Sequence, residues 1–130
     1  MKEALRNSIK YLKSKEVDYA DIRFVRRSHE SLVVKNNEVE NIASKTDEGF
    51  SVRVLKRGSW GFSSCADLSK NNVEKTAQRA MAIAEATAAI NKTKIYLAPV
   101  EAVKASFKSK YETDPFEVPI HKKLEYLMSA

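Results

Sequence analysis

Four side chains are candidates for contact with a substrate or a partner: His29, Arg53, Arg57 and Trp60. The two arginines and the tryptophan fall in one predicted hairpin, where cations and an aromatic ring can bind nucleic acid by charge and stacking. The hairpin aromatics are expected to share a face with apolar Val and Phe positions, so core packing is their favoured role. His29 is expected to lie at a turn or on the surface.

Catalytic and cofactor sites need residue combinations that this sequence lacks. A zinc hydrolase uses two imidazoles one helical turn apart with a carboxylate, whereas His29 and His121 stand far apart without a second ligand nearby. A single cysteine, Cys65, makes no intrachain disulfide or thiolate cluster, and we expect it to pack as a small apolar group. Three glycines exclude a glycine-rich phosphate loop. We therefore predict no catalytic, metal or cofactor-binding residue within this chain.

The composition is that of one folded domain. The chain has 130 residues, of which 43% are hydrophobic and 31% charged, and no run of apolar residues reaches the length of a membrane span. One cysteine and no signal sequence predict a soluble protein of the reducing cytoplasm, without membrane contact. The net charge of +6 permits an acidic partner, but the excess cations are spread along the chain, which disfavours direct nucleic-acid binding.

The elements that must position these side chains begin with an amphipathic helix over residues 2–15. Period-two alternation then predicts an antiparallel meander of about five strands. Asn36-Asn37 and Lys56-Arg57-Gly58 are the expected hairpin tips, and residues 47–49 are an expected break. The predicted strands cover residues 19–25, 31–34, 39–44, 50–55 and 59–63.

The second half of the sequence predicts a long helix, then an extended arm and then another helix. Ser69 precedes an Ala-rich apolar stripe that runs to Ala89, which indicates close packing on the sheet. The fold class is therefore α+β. We expect an N-terminal domain over 1–98, which ends in a possible further strand at 94–97, and an extended arm over 99–118. A helix over 119–130 is still apolar-periodic where the sequence stops, so we expect a connection to a C-terminal domain outside it.

Several motifs in this order resemble the N-terminal domain of TldD/PmbA proteins. They are a Tyr-Ala-Asp strand, a Gly-x-x-Val-Arg strand, a Gly-x-x-Gly-Phe hairpin return and a Ser-capped Ala-rich helix. The segment 111–116 and the following Ile/Leu helix also match, so the resemblance covers most of residues 15–130. The motifs lie at Tyr19–Asp21, Gly49–Arg53, Gly58–Phe62 and Ser69–Ala89.

The resemblance implies a longer parent protein that is a zinc metallopeptidase, historically called a modulator of DNA gyrase. In such a parent the zinc lies in the C-terminal domain, and this chain is a non-catalytic domain that helps form the substrate chamber and the subunit interface. The implied substrates are small or unfolded peptides. The implied partner is a second TldD/PmbA-type subunit in a heterodimer.

Two alternatives stay open beside this reading. His29-Glu30-Ser31 looks TldD-like, which favours the catalytic subunit over the equivalent domain of a metal-free PmbA-like partner. The other alternative is a nucleic-acid-binding module that uses the basic hairpin, and it predicts an affinity that falls steeply with salt.

Overall fold

The computed structural model describes residues 2–130, which form three helices and one antiparallel sheet. The strand order in the sheet is β1-β2-β3, so each strand pairs with its neighbour in the sequence. This arrangement confirms the predicted α+β class with a meander sheet and a long helix. The elements are α1 (Lys2–Lys13), β1 (Tyr19–Lys35), β2 (Glu38–Lys56), β3 (Ser59–Cys65), α2 (Lys70–Ile90) and α3 (Ile120–Met128).

The sheet has three long strands, so the predicted count of about five short strands was wrong. β1 continues through residues 26–30, which separate the first two predicted strands, and β2 continues through the predicted break at 47–49. Side chains from Val25 to His29 and from Glu38 to Glu48 are exposed on both faces, and a strand needs strict alternation only where one face is buried. Residues 94–97, a possible further strand, form none.

Both hairpin tips have two residues in the left-handed region. Asn36 and Asn37 have φ of 50° and 62°, and Arg57 and Gly58 have φ of 50° and 72°. Positive φ at both central residues is what a two-residue type I′ turn requires, and its twist matches that of the strands. The predicted tip at Asn36-Asn37 is confirmed, and the predicted turn at Lys56-Arg57-Gly58 is formed by Arg57 and Gly58, with Lys56 still in β2.

The chain divides into two compact units. The first unit comprises the described residues up to Arg26 together with Glu48–Pro99. In it, one face of the sheet is covered by α2, and α1 packs beside α2. Its core combines one leucine of α1, alternate residues of β2 and the small-residue stripe of α2. The buried members are Leu12, Phe50, Val52, Val54, Val73, Ala77, Ala80 and Ala84.

The long helix α2 begins and ends as predicted. The Ser69 side chain accepts a hydrogen bond from the Asn72 backbone N–H at 3.4 Å, which caps the first turn. Asp67 accepts from the Ser69 backbone N–H, and this bond lowers the pKa of that carboxyl. At its C-terminus α2 is capped by Asn91, whose backbone N–H donates to the Thr87 carbonyl oxygen.

An ion pair joins the end of β2 to α2 in the first unit. The Lys56 ammonium lies 2.7 Å from Glu85 Oε1, and the lysine side chain is only 14% exposed. This hydrogen bond lowers the pKa of Glu85. The pair spans 29 residues of sequence, so it fixes the helix against the strand it crosses.

The second unit comprises Arg27–Asp47 and Val100–Ala130. It contains the outer part of the β1–β2 ribbon, where the Ser28 and Thr46 hydroxyls lie 3.2 Å apart across the strands, and it contains α3. The Lys123 ammonium of α3 donates to Glu30 of β1, and both side chains are 17% exposed. This ion pair holds α3 on the ribbon.

Between α2 and α3 the described chain forms no helix or strand. The proposed boundaries at 98 and 118 remain predictions. Within residues 2–130, no helix combines the length and apolar character needed to cross a membrane.

Candidate functional site

The two faces of the sheet in the first unit carry different side chains. The register pairs Val54 with Gly61 and Arg53 with Phe62, so alternate residues of β2 and β3 point to opposite faces. Val54 and Gly61 lie under α2, whereas Arg53, Trp60 and Phe62 lie on the other face. The expectation that the hairpin aromatics pack in the core with the Val positions was therefore wrong, because only a glycine fits between β3 and α2.

We call the second face of this sheet the open face and define it by Tyr19, Asp21, Arg53, Trp60 and Phe62. Phe62 is 55% exposed and Tyr19 is 39% exposed, while Trp60 is half-buried. An exposed aromatic beside a half-buried indole is typical of contact surfaces, because large rings offer apolar area at low entropic cost.

Arg53 organises the open face. Its Nε and Nη2 atoms donate to Asp21 Oδ2 at 2.9 and 2.5 Å. The guanidinium carbon lies 5.1 Å from the centre of the Trp60 ring, within the range of a cation–π contact. Tyr19 meets the same indole edge to face, with ring centres 5.9 Å apart. These contacts join residues of all three strands into one fixed cluster.

The surroundings of Arg53 favour the protonated form of its guanidinium. The hydrogen bond with Asp21 is the largest cause that raises the pKa of Arg53 above its usual value, and Tyr19 adds to it. The guanidinium therefore stays protonated at every physiological pH. Because Asp21 neutralises it, Arg53 offers less attraction to a phosphate than an unpaired arginine would.

Asp21 keeps one oxygen without a hydrogen bond among the described residues. Its Oδ1 atom is buried, and the nearest cationic group, Arg23 Nε, lies 3.5 Å away, which is an ion pair without hydrogen-bond geometry. The carboxylate therefore serves mainly to hold Arg53 in place over Trp60.

β3 ends the sheet, and one of its edges is unpaired among the described strands. Next to a two-residue turn the flanking pair, Lys56 and Ser59, is hydrogen-bonded, and bonded pairs then alternate along the ladder. The main-chain N–H and C=O groups of Trp60, Phe62 and Ser64 therefore point away from β2. These residues also place their side chains on the open face.

Arg57 lies at the turn between β2 and β3 and is not part of the open face. It borders a groove of about 520 Å³ that is also lined by Asp18, Gly58 and residues 94–97. Asp18 Oδ2 accepts the Gly58 N–H at 3.0 Å, and the Ile95 N–H donates to the Gly58 carbonyl at 2.9 Å. The chain after α2 therefore contacts the β2–β3 turn, next to the first residue of β3.

His29 lies in the second unit, on the exposed part of β1, and is not a member of the open-face cluster. Its neighbour Glu30 is the residue that bonds Lys123. Of the four predicted contact residues, the structure brings together Arg53 and Trp60. Arg57 is at the turn, and His29 belongs to the other unit.

Within residues 2–130, no group of three His, Cys, Asp or Glu side chains is placed to hold a metal ion. The open face offers a fixed cation, aromatic rings and outward main-chain groups. Such a set can hold an extended chain by main-chain hydrogen bonds and apolar contact.

Sequence reasoning missed Tyr19 and Asp21 as members of this cluster. The signal was present, because both residues stand at odd positions of β1 in a Tyr-Ala-Asp motif and Arg53 is the cation of the neighbouring strand. A charged residue on a half-buried strand here finds its partner on the adjacent strand, on the same face of the sheet.

Comparisons with known proteins give the family. Residues 20–84, half of the chain, match the sequence model described as PmbA/TldA metallopeptidase domain 1. A metalloprotease of Methanocaldococcus jannaschii is 29% identical over 113 residues, which cover 87% of this chain and 25% of that protein. A metalloprotease of Methanothermobacter thermautotrophicus is 41% identical over 46 residues, which cover 35% of this chain and 10% of that protein.

The fold has a solved counterpart. The crystal structure of TldE from Thermococcus kodakarensis matches with a TM-score of 0.55 at 21% identity, over 92% of this chain and 24% of that one. This chain thus spans about a quarter of the length of the Methanocaldococcus jannaschii metalloprotease and about a quarter of the length of the TldE chain. The resemblance found in the motifs is confirmed: the chain belongs to the PmbA/TldD metallopeptidase family, as its N-terminal domain.

Proposed function

We propose that this chain is the non-catalytic N-terminal domain of a TldD-like, zinc-dependent metallopeptidase of the cytoplasm. In this proposal it helps to form the substrate chamber and the interface with a second TldD/PmbA-type subunit, for hydrolysis of small or unfolded peptides. The observation that carries the proposal is the family match over residues 20–84 in a chain that spans a quarter of a metalloprotease. The zinc site belongs to the remaining three quarters.

The open face supports a role in peptide positioning. Unfolded peptides share only their main chain, so a site that takes many of them must bind through main-chain hydrogen bonds. The outward groups of Trp60, Phe62 and Ser64 supply such bonds, and the rings of Trp60 and Phe62 supply sequence-tolerant apolar contact. Arg53, fixed by Asp21, packs against the Trp60 ring and keeps this surface in one arrangement.

The first test compares this chain with the longer polypeptide that the proposal requires. We expect zinc by elemental analysis, and chelator-sensitive cleavage of a quenched fluorescent peptide of mixed sequence, only in the longer polypeptide mixed with its partner subunit. Chelator-sensitive cleavage by this chain alone would overturn the proposal. Zinc in the partner and none in the longer polypeptide would assign this chain to the metal-free PmbA-like subunit.

A second prediction concerns Phe62 in the longer enzyme. Phe62→Pro removes one outward N–H of β3 and leaves the bonds to β2 intact, since proline is tolerated on an edge strand. We expect KM for an unfolded peptide to rise about fivefold beyond the rise in Phe62→Ala, the equivalent of one lost hydrogen bond. kcat should be unchanged, because the chemistry lies elsewhere.

The matched control for Phe62→Pro is Phe62→Ala, which loses the same ring and keeps the N–H. Equal KM values in the two variants, with circular dichroism that shows both folded, would mean that the edge makes no main-chain bond to substrate. The nucleic-acid alternative is tested on the same proteins, because it requires salt-sensitive binding of a single-stranded oligonucleotide.

A further inference from the structure

A groove between α1 and β1 has no role in the peptidase proposal. It has a volume of about 380 Å³ and lies within the first unit. Its apolar lining comes from Leu5 and Ile9 of α1 and from Ile22 and Phe24 of β1, and its rim carries Arg6 and Lys10. All of these apolar residues are only partly covered, and Phe24 is 37% exposed.

The rim of this groove is cationic and uncompensated. Arg6 and Lys10 stand four residues apart on one side of α1, and among the described residues neither has a carboxylate within 4 Å. Like charges at this spacing disfavour a helix. The single acidic residue of α1, Glu3, stands in the first turn and makes no ion pair with either cation. An anionic partner would remove this repulsion.

We propose that the groove binds an acidic amphipathic helix of a partner protein, with aliphatic residues in the groove and carboxylates on Arg6 and Lys10. Two features select this occupant over others. The apolar lining excludes a partner that offers charge alone, and two cations one helical turn apart match carboxylates at positions i and i+4 of a helix. The net charge of +6 brings such a partner toward the chain by long-range attraction.

The test uses the whole 130-residue chain and three synthetic helical peptides of about 15 residues. The probe peptide consists of Leu, Ala and Glu, with leucines three and four apart and glutamates four apart beside them. Its first control replaces every Glu by Lys, and its second has the same composition in scrambled order. We expect the probe alone to bind, with NMR shifts confined to Leu5, Ile9, Ile22 and Phe24 and their neighbours.

The decisive variants reverse charge at equal spacing on two helices. Arg6→Glu with Lys10→Glu is expected to weaken probe binding about tenfold or more, since two attractive pairs become repulsive. Lys75→Glu with Arg79→Glu makes the same charge change on α2, where both residues are exposed, and is expected to leave most of the affinity. The reversed α1 variant should in turn bind the lysine peptide.

Three results would overturn the proposal. The probe could show no binding at low salt, the scrambled peptide could bind as well as the probe, or the two double variants could lose affinity equally. Thermal unfolding of both variants separates a lost site from a lost fold, and the lysine peptide supplies a gain of binding that an unfolded chain would not show. None of these results depends on zinc or on peptidase activity, so they test the groove independently of the proposed function.

Discussion

Gly61→Ala is expected to lower the free energy of unfolding by about 3 kcal/mol, at the upper end of the cost of overpacking. A Cβ atom at this position would lie 1.9 Å from the Ala80 carbonyl oxygen and 2.5 Å from the Ala84 N atom. Both are backbone atoms of α2, so no side chain can move aside. The helix as a whole must retreat from β3, which opens the contact that buries Ala77, Ala80 and Ala84. Urea unfolding followed by circular dichroism measures the change.

The same substitution at Gly49 is the matched control. There the added Cβ would meet the Cys65 carbonyl oxygen at 3.1 Å and Ala66 Cα at 3.5 Å, distances that small shifts relieve. We expect Gly49→Ala to cost no more than about a third as much as Gly61→Ala. Equal losses in the two variants would mean that the cost comes from the loss of glycine in a strand rather than from the approach of α2.

The elements with local signals could be predicted from the sequence. Ser69 marks the start of α2 because side-chain capping is decided within one helical turn, and the Asn36-Asn37 tip follows from the tolerance of asparagine for positive φ. The strand lengths could not be predicted, because the described residues 26–29 and 38–48 are exposed on both faces in the structure, so burial imposes no alternation on them. The length of the ribbon is set by cross-strand pairing over many residues, which a local window does not contain.

The sequence identifies some residues of the candidate site but not their arrangement, because the arrangement depends on packing between distant segments. Charge and aromatic type single out Arg53 and Trp60, but which face they occupy depends on where the helix packs. Gly61 decides this, because it is the strand position that admits the α2 backbone, and Trp60 and Phe62 must then point the other way. The Asp21 partner of Arg53 lies 32 residues away in sequence, so the Tyr-Ala-Asp motif marks its face of β1, and the strand register is needed to place it beside Arg53.

Leu12→Ala is expected to lower the free energy of unfolding by about 3 kcal/mol, because a leucine in a closed core loses its transfer energy and leaves a cavity. Leu12 is 0% exposed and is the residue of α1 in the core of the first unit. Leu5→Ala, on the same helix at a half-buried position, is the control and should cost less than half as much.

The consequence of Leu12→Ala should reach beyond global stability. α1 contacts α2, and Leu12 is the fully buried apolar side chain that α1 adds to the core, whereas the hydroxyl of its second buried side chain, Ser8, has no hydrogen-bond partner among the described residues. We therefore expect amide hydrogen exchange of α1 to rise more than that of β2, because local opening of the helix becomes easier than global unfolding. Equal acceleration in both elements would show instead that α1 and the sheet unfold as one unit.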